Sequence, residues 1–160
     1  MDDTLQFKCL TDLREIINQI DGYVARPTLR GEHPTLYSEP GEGRFRTVMG
    51  IRICDYKFSQ DEQWVLPDDQ MGLSFSSTWQ NLKGVYKMVS RGKRKPVDVY
   101  WVLSKSDIPD GLAFVQDRKP KKKGHYFLAV TREMKVSSLV EKLRWVADRM
   151  SVIRDSELAS

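Results

Sequence analysis

The chain has 160 residues, of which 40% are hydrophobic, so we expect one folded domain whose core forms without disulfides or metal. Its 26 Lys and Arg residues outnumber its 22 Asp and Glu residues, and the net charge of +4 suits an anionic partner. Cys9, Cys54, His33 and His125 lack the close spacing of zinc ligands, so we expect reduced cysteines and no metal site. No apolar run reaches the ~20 residues that cross a bilayer, and the N-terminus lacks the apolar core of a signal peptide. A cytoplasmic protein is therefore expected, and any export would proceed without a cleaved signal.

The first third of the chain predicts one helix, one extended segment and one long loop. The stretch from Thr11 to Ile20 carries an apolar stripe at helical spacing, and Thr11 is suited to cap it while Gly22 ends it. Tyr23 to Pro27 is predicted to be extended, because a residue before proline is pushed toward β geometry. Residues 27–43 contain three prolines and three glycines, which favours a loop, and so long a loop is often functional.

The middle of the chain predicts strands around a second helix. Phe45 to Ile53 alternates between apolar residues on one face and arginines on the other, which is typical of a strand with a basic outer face. Trp64 to Leu66 indicates a short strand or an anchor. A helix is expected from Ser77 to Ser90, capped by Ser77 or the serine before it. Val97 to Leu103 has the β-branched and aromatic composition of a strand.

The stretch from Asp107 to Met134 predicts two strands around which the domain is organised. Leu112 to Val115 and Tyr126 to Val130 are short apolar runs bounded by turn residues, as strands usually are. The connector 118–123 carries five positive charges in six residues, so we expect it in water at a sheet edge.

The last part of the chain predicts a final helix. Ser138 and Glu141 form a capping-box pattern, and the apolar stripe behind them continues to Met150. We expect residues 151–160 to fray. Because strands and helices do not alternate regularly, the elements predict an α+β fold: a single domain over residues 1–160 with a mostly antiparallel or split sheet.

A series of short motifs resembles a known family. The series is Asp107-Ile108-Pro109, Asp117, His125-Tyr126 before an apolar strand and Met134 before the last helix, with Gly72-Leu73-Ser74-Phe75 upstream. It is similar to bacterial type VI secretion toxins with an ADP-ribosyltransferase-like fold, best over residues 106–135. The resemblance implies two small sheets forming a cleft for NAD, flanking helices, a macromolecular target in the cytoplasm and a cognate immunity protein.

The resemblance also implies a site. The implied NAD-binding residues are Arg26, Ser74, Ser76 and Thr78, and the implied catalytic residues are Ser74, His125 and Glu133. A guanidinium such as that of Arg26 binds phosphate in a bidentate manner, and hydroxyls on alternate strand positions orient a ribose or a carboxamide. Glu133 is a lone candidate for the carboxylate, since the Glu-x-Glu or Gln-x-Glu pattern usual among such enzymes does not occur here.

Two other classes of function remain open from the residues alone. The basic segments 91–95 and 118–123 suit a nucleic-acid-binding protein or a small ribonuclease with His125 as general base, and they equally suit two solvated loops. The third class is a non-catalytic interaction module whose partner covers the loop 27–43. Binding of NAD would single out the transferase, and steeply salt-dependent RNA binding would single out the nucleic-acid-binding protein.

Overall fold

The structure, a computed structural model, describes residues 10–19, 22–92, 95–104 and 108–154. Within these ranges the chain forms helices α1 (Leu10–Ile17), α2 (Trp79–Ser90) and α3 (Val136–Arg149). The strands are β1 (Tyr23–Leu29), β2 (Thr47–Val48), β3 (Ile51–Arg52), β4 (Lys57–Phe58), β5 (Trp64–Leu66), β6 (Asp68–Ser76), β7 (Val97–Leu103), β8 (Leu112–Gln116), β9 (His125–Val130), β10 (Met134–Lys135) and β11 (Ser151–Ile153). Short 3-10 turns lie at Gly43–Phe45 and Pro120–Lys122. The predicted α+β class is confirmed.

The central sheet has six antiparallel strands in the order β11-β7-β1-β6-β9-β8. Strand β1 pairs with β7 along its whole length from Tyr23 to Leu29. Between β1 and β6, by contrast, the described register contains the single pair Ala25 and Ser76. The sheet therefore consists of two three-stranded halves that separate between β1 and β6. Two smaller sheets, β10-β5-β4 and the β2-β3 hairpin, complete the domain.

Each face of the central sheet packs on its own hydrophobic core. One face joins Val24, Leu73, Phe75 and Leu128 to the buried stripe of α3. The other face joins alternate residues of β1 and β7 to α1 and α2, through Leu13, Ala25, Leu82, Val99 and Trp101. The alternation of strand side chains and the stripe on each helix account for this three-layer arrangement.

The single strand predicted from Phe45 to Ile53 is wrong. The chain instead forms a tight hairpin, in which Thr47 pairs with Arg52 and Val48 pairs with Ile51. Met49 and Gly50 make the turn with φ angles of 54° and 88°. Two successive residues with positive φ form the kind of turn that fits the twist of a hairpin. Met49-Gly50 is therefore a turn between β2 and β3 and not part of one continuous strand.

Three predicted helix and chain boundaries also differ from the structure. Helix α2 is capped by Thr78, whose side chain accepts a hydrogen bond from the Asn81 N–H, so the predicted serine caps are wrong. Helix α3 starts at Val136 after Lys135, which places Ser138 inside the helix and excludes the predicted capping box. Residues 151–153 do not fray, because β11 pairs with β7.

The predicted cap of the first helix is also wrong, because Thr11 lies inside α1 after Leu10, and the predicted loop starts after Leu29 rather than at Pro27. The other predicted elements are confirmed where the structure describes them. Strands occur at Tyr23–Leu29, Trp64–Leu66 and Val97–Leu103, and the segment 112–130 forms the hairpin β8-β9 with its exposed basic connector at the sheet edge. The first helix ends at Ile17; Cys9, Ile20, Asp107 and residues 155–160 lie outside the described residues. No helix in the described part of the chain is long and apolar enough to cross a membrane.

Candidate functional site

Three strands of one sheet half bring the candidate catalytic residues together. In β6 and β9, Ser76 lies opposite His125 and Ser74 lies opposite Phe127. In β8 and β9, Gln116 lies opposite Tyr126, so the next residue, Asp117, lies beside His125. Because side chains two positions apart share a face, Ser74 and His125 project on the face that carries α1 and α2.

A continuous series of hydrogen bonds connects Asp117, His125 and Ser74. His125 Nδ1 lies 2.7 Å from Asp117 Oδ2, and His125 Nε2 lies 2.8 Å from Ser74 Oγ. The Asp117 N–H also donates to the His125 carbonyl at 2.9 Å, and this bond joins the end of β8 to the start of β9. We call this series the relay. The Asp117 side chain is only 4% exposed and that of His125 15%, so the relay is largely shielded from solvent.

The protonation of the relay follows from its partners. Burial acts to raise the pKa of Asp117, but hydrogen bonds from the Lys119 N–H and from His125 outweigh it and hold this pKa below its usual value. A carboxylate can only accept, so Nδ1 of His125 carries a proton. In the neutral imidazole Nε2 is then an acceptor, and the Ser74 hydroxyl donates to it. The relay is thus arranged to take a proton from a hydroxyl group.

The relay differs from an acyl-transfer site in one respect. Ser74 lies inside strand β6, away from a helix N-terminus whose main-chain N–H groups would stabilise an oxyanion. At the start of α2, the Trp79 N–H donates to Asn18 Oδ1 and the Asn81 N–H donates to Thr78 Oγ1. These two N–H groups are therefore not free to stabilise an oxyanion. The geometry therefore favours proton transfer by His125 over attack by Ser74 on a carbonyl.

Arg26 crosses the separation between the two sheet halves. Its Nη1 donates to the Ser74 carbonyl at 3.1 Å, its Nε to the Pro34 carbonyl at 2.9 Å and its Nη2 to the Tyr37 hydroxyl at 3.0 Å. Arg26 alternates with Ala25 on β1, so its guanidinium approaches Ser74 from the face opposite the relay. Three of its five N–H groups are used in these bonds, which leaves two for a ligand.

A positively charged cluster surrounds Arg26. The Arg52 guanidinium lies 3.9 Å from the centre of the Tyr37 ring and 4.9 Å from that of Phe45. Burial raises the pKa of Asp55, and the nearby Arg26 and Arg52 only partly offset this effect. Asp55 Oδ2 is buried without a hydrogen-bond partner in the described residues. Two arginines beside one buried carboxylate give this cluster an excess of positive charge, which attracts an anion.

The other residues implied by the resemblance have different surroundings. Ser76 is 1% exposed, and its hydroxyl accepts a hydrogen bond from Asn81 Nδ2 at 2.6 Å. Thr78 lies beyond the end of β6 and caps α2. Glu133 is exposed beyond the far end of β9, roughly 17 Å or more along the strand from His125 at ~3.3 Å per residue. The structure therefore places the Ser74 and His125 side chains together on one face of the sheet, links Arg26 to the Ser74 carbonyl from the opposite face, and leaves Glu133 apart.

Two participants were not among the residues predicted for the site. Asp117 belonged to the motif series but had no role assigned to it, although a tight hairpin register would have placed it opposite His125. Tyr37 lies in the loop 27–43, which the buried Thr35 hydroxyl anchors by donating to the Leu143 carbonyl at 2.9 Å. No pattern in the loop's composition indicates that contact.

No protein-family model, no curated protein and no solved structure shows significant similarity to this chain. Within the described ranges, no group of three or more His, Cys, Asp and Glu side chains is placed to hold a metal ion.

Proposed function

We propose that the protein is an NAD-dependent ADP-ribosyltransferase that acts as an antibacterial toxin on a macromolecule in the cytoplasm of the recipient cell. The observation that carries this proposal is the relay Asp117–His125–Ser74 beside the separation of the sheet. Arg26 of the neighbouring strand β1 donates to the Ser74 carbonyl across that separation. It adds geometry to the motif series of residues 106–135. The proposal takes the two halves of the six-stranded sheet as the counterparts of the two small sheets that the resemblance implies.

The residues around the separation suit NAD as substrate. Arg26 has two N–H groups for a phosphate, and Arg52 adds a second positive charge stacked on an aromatic ring. The Ser74 hydroxyl is suited to orient a ribose or a carboxamide, and because it lies on the other face of the sheet from Arg26, NAD would reach both through the separation between β1 and β6. Ser76 and Thr78 serve the start of α2 and are left out of the proposed NAD site.

The chemistry of the transfer divides between substrate and protein. Bound NAD supplies the ADP-ribosyl group, and the electron pair of its broken ribose–nitrogen bond leaves with nicotinamide. His125 Nε2 takes the proton that an acceptor hydroxyl releases as its oxygen bonds to the ribose carbon, and Ser74 Oγ relays that proton. Asp117 holds the imidazole in the required tautomer and stabilises the imidazolium that forms.

The proposal also implies partners. A toxin of this kind needs an immunity protein in the cell that makes it, and the surface that carries the relay is where such a protein would act most directly. Its identity and the acceptor macromolecule are separate questions from the use of NAD.

The first test is turnover of etheno-NAD by the purified protein, followed by fluorescence. We expect Ser74→Ala and His125→Ala to lower the rate by ~10²- to 10⁴-fold, the range for loss of a positioned general base. Ser90→Ala and His33→Asn, which change a serine and a histidine away from the relay, should keep the rate within a few-fold. Induced expression in bacteria should arrest growth with the same pattern. A folded wild-type protein that neither consumes NAD nor arrests growth would refute the proposal.

The second candidate function is RNA cleavage with His125 as general base. The observation in its favour is that the relay lies at the base of the hairpin whose connector carries Lys119 to Lys123. Incubation with labelled RNA in the absence of NAD separates the two functions. Cleavage that depends on His125 would favour the ribonuclease, and intact RNA with NAD consumption would favour the transferase. A non-catalytic module would show neither, and the hydrogen-bonded relay makes that class the least supported.

A further inference from the structure

A cavity of about 980 Å³ lies between α1, α2 and the basic connector of the β8-β9 hairpin. Its lining residues come from the end of α1 and the residues just after it, from α2 and the residues just before it, and from the connector at 120–124. None of the residues of the relay is among them, so the cavity is a separate feature. Its volume is at the upper end of the range of ligand sites, which is too large for one simple anion.

The charge of the cavity has a single sign. Its lining contains no Asp and no Glu, while Lys121, Lys122 and Lys123 follow one another along one wall and are exposed. Among the described residues, none of these three lysines forms an ion pair, whereas Arg118 in the same connector pairs with Asp69. Three adjacent cations without counter-charges create a local positive potential that attracts an anionic ligand.

The rest of the wall combines glycines and apolar residues with six neutral polar residues. Asn18, Gln19, Gln80 and Asn81 contribute amides, and Ser77 and Thr78 contribute hydroxyls. Of these groups, Asn18 Oδ1, Thr78 Oγ1 and Asn81 Nδ2 already form hydrogen bonds within the protein. Amides combine donors with acceptors, which is the chemistry that pairs with the edges of nucleobases. Consecutive lysines suit the regularly spaced phosphates of a nucleic acid, and the amides supply hydrogen bonds for its bases.

The cavity adjoins the relay. Gly124, which precedes His125, packs closely against Thr78 and Asn81, where a side chain on Gly124 would clash. Asn81 in turn donates to Ser76, which lies opposite His125 in the sheet. A ligand chain held in the cavity would therefore pass close to His125, on the face of the sheet to which the His125 side chain projects.

We infer that this cavity, named here the lysine cavity, binds single-stranded nucleic acid, with Lys121 to Lys123 on its phosphates and the amides on its bases. The inference deepens the proposed function by naming the class of the acceptor, and for the transfer step it rests on that function. Binding itself requires neither NAD nor the relay. A single strand exposes base edges that the amides can reach, whereas a duplex hides them.

The test measures binding of a fluorescein-labelled 12-nucleotide RNA of mixed sequence by anisotropy, without NAD, at several salt concentrations. Three phosphate contacts on a single strand predict a slope of log affinity against log salt of about −2. Replacing Lys121, Lys122 and Lys123 together by Gln should weaken binding at least tenfold at low salt and flatten the slope. The matched control replaces Lys57, Lys135 and Lys142, which lie outside the cavity, and should retain both affinity and slope.

A second pair of variants keeps the test independent of the connector's folding. Met88 is 68% exposed at the cavity and Met49 is 59% exposed elsewhere, so a charge at either site should be tolerated. Met88→Glu should weaken RNA binding several-fold, and Met49→Glu should not. Equal losses in both lysine triples, no binding by the wild type, or tighter binding of a poly-glutamate peptide than of RNA would overturn the inference.

The outcomes for binding and for catalysis are separable. Ser74→Ala should bind RNA like the wild type, because the relay is outside the lysine cavity. RNA binding at the lysine cavity without NAD consumption would refute the proposed function and leave the binding site. NAD consumption without RNA binding would refute the binding site and leave the enzyme.

Discussion

Tyr56 connects the two strands that carry the relay, and its hydroxyl gives a sharp prediction. The side chain is 2% exposed; its OH donates to the Leu128 carbonyl of β9 at 2.7 Å and accepts from the Leu73 N–H of β6 at 3.3 Å. Both main-chain groups lie at the end of an irregularity, where the β6-β9 register shifts between Asp68 and Leu73. Burial raises the pKa of Tyr56 above its usual value, so the hydroxyl stays neutral and can donate. The side chain thus links β6 and β9 where their register is irregular.

Tyr56→Phe keeps the ring and removes the oxygen, which leaves one buried donor and one buried acceptor without partners. At ~1–3 kcal/mol for each such group, and with the longer bond counting less, we expect a loss of about 3 kcal/mol in the free energy of unfolding. With an m-value of ~2 kcal/mol/M the urea midpoint falls by ~1.5 M, and the melting temperature falls by ~6–12 °C.

The assay is urea denaturation followed by tryptophan fluorescence, with Tyr100→Phe as control. Tyr100 is half-buried, and its hydroxyl has no hydrogen-bond partner among the described residues, so its loss should change stability by less than ~0.5 kcal/mol. Below the melting transition Tyr56→Phe should keep its NAD turnover, because the relay is untouched. A Tyr56→Phe midpoint equal to that of the wild type, with an unchanged m-value, would refute the proposed role of the hydroxyl.

Three further predictions concern the same strands. Gly72→Ala should lower the free energy of unfolding, measured by urea denaturation, by about 3 kcal/mol, because the new methyl group meets the Leu128 carbonyl and Gly72 has a φ of 149°. Gly84→Ala, which adds a methyl group in open space on α2, should raise it by ~0.5–1 kcal/mol. Equal effects of the two substitutions would contradict this account. Thr78→Ala should lower the free energy of unfolding by ~1 kcal/mol, because the cap of α2 is lost, yet the variant should keep its NAD turnover. Loss of turnover in a folded variant would show that Thr78 belongs to the substrate site after all. The lowered pKa of Asp117 means that its carboxylate stabilises the fold above the usual value of 3.8 and loses this effect as pH falls through the lower folded value. Against Asp117→Asn, the wild-type advantage should therefore vanish in acid, and an advantage that persists well below that range would exclude the carboxylate as its source.

Local patterns were sufficient for most of the regular elements. The hairpin strands at 112–116 and 125–130 and the strand Val97–Leu103 follow from composition and turn residues, because a run of β-branched and aromatic side chains between turn formers has few other stable arrangements. The buried stripe of α3 follows from helical spacing in the same way. Its capping box did not occur, since β10 leads directly into the helix at Lys135 and makes Ser138 an interior residue.

The site depended on pairings that local patterns do not encode. Ser74 and His125 are 51 positions apart, and they meet because β6 pairs with β9 in one particular register. A shift of one residue would turn one of the two side chains to the opposite face. The same argument explains Arg26, which reaches Ser74 across strands that otherwise diverge, and Glu133, which the direction of β9 carries away from the site.

The amino-acid sequence by itself determined the α+β class, the positions of β1, β7, β8 and β9 and of α2 and α3, and the exposed basic connector between β8 and β9, but not the longest strand, β6. These features depend on the periods of 2 and 3.6 residues and on turn chemistry, which act within about ten residues. Only the tertiary structure decided the division of the sheet, the assembly of Asp117, His125 and Ser74 into a relay, and the lysine cavity beside it. Each of these depends on strand order and register, because hydrogen bonds between distant strands form only after the whole sheet has been assembled around its two cores.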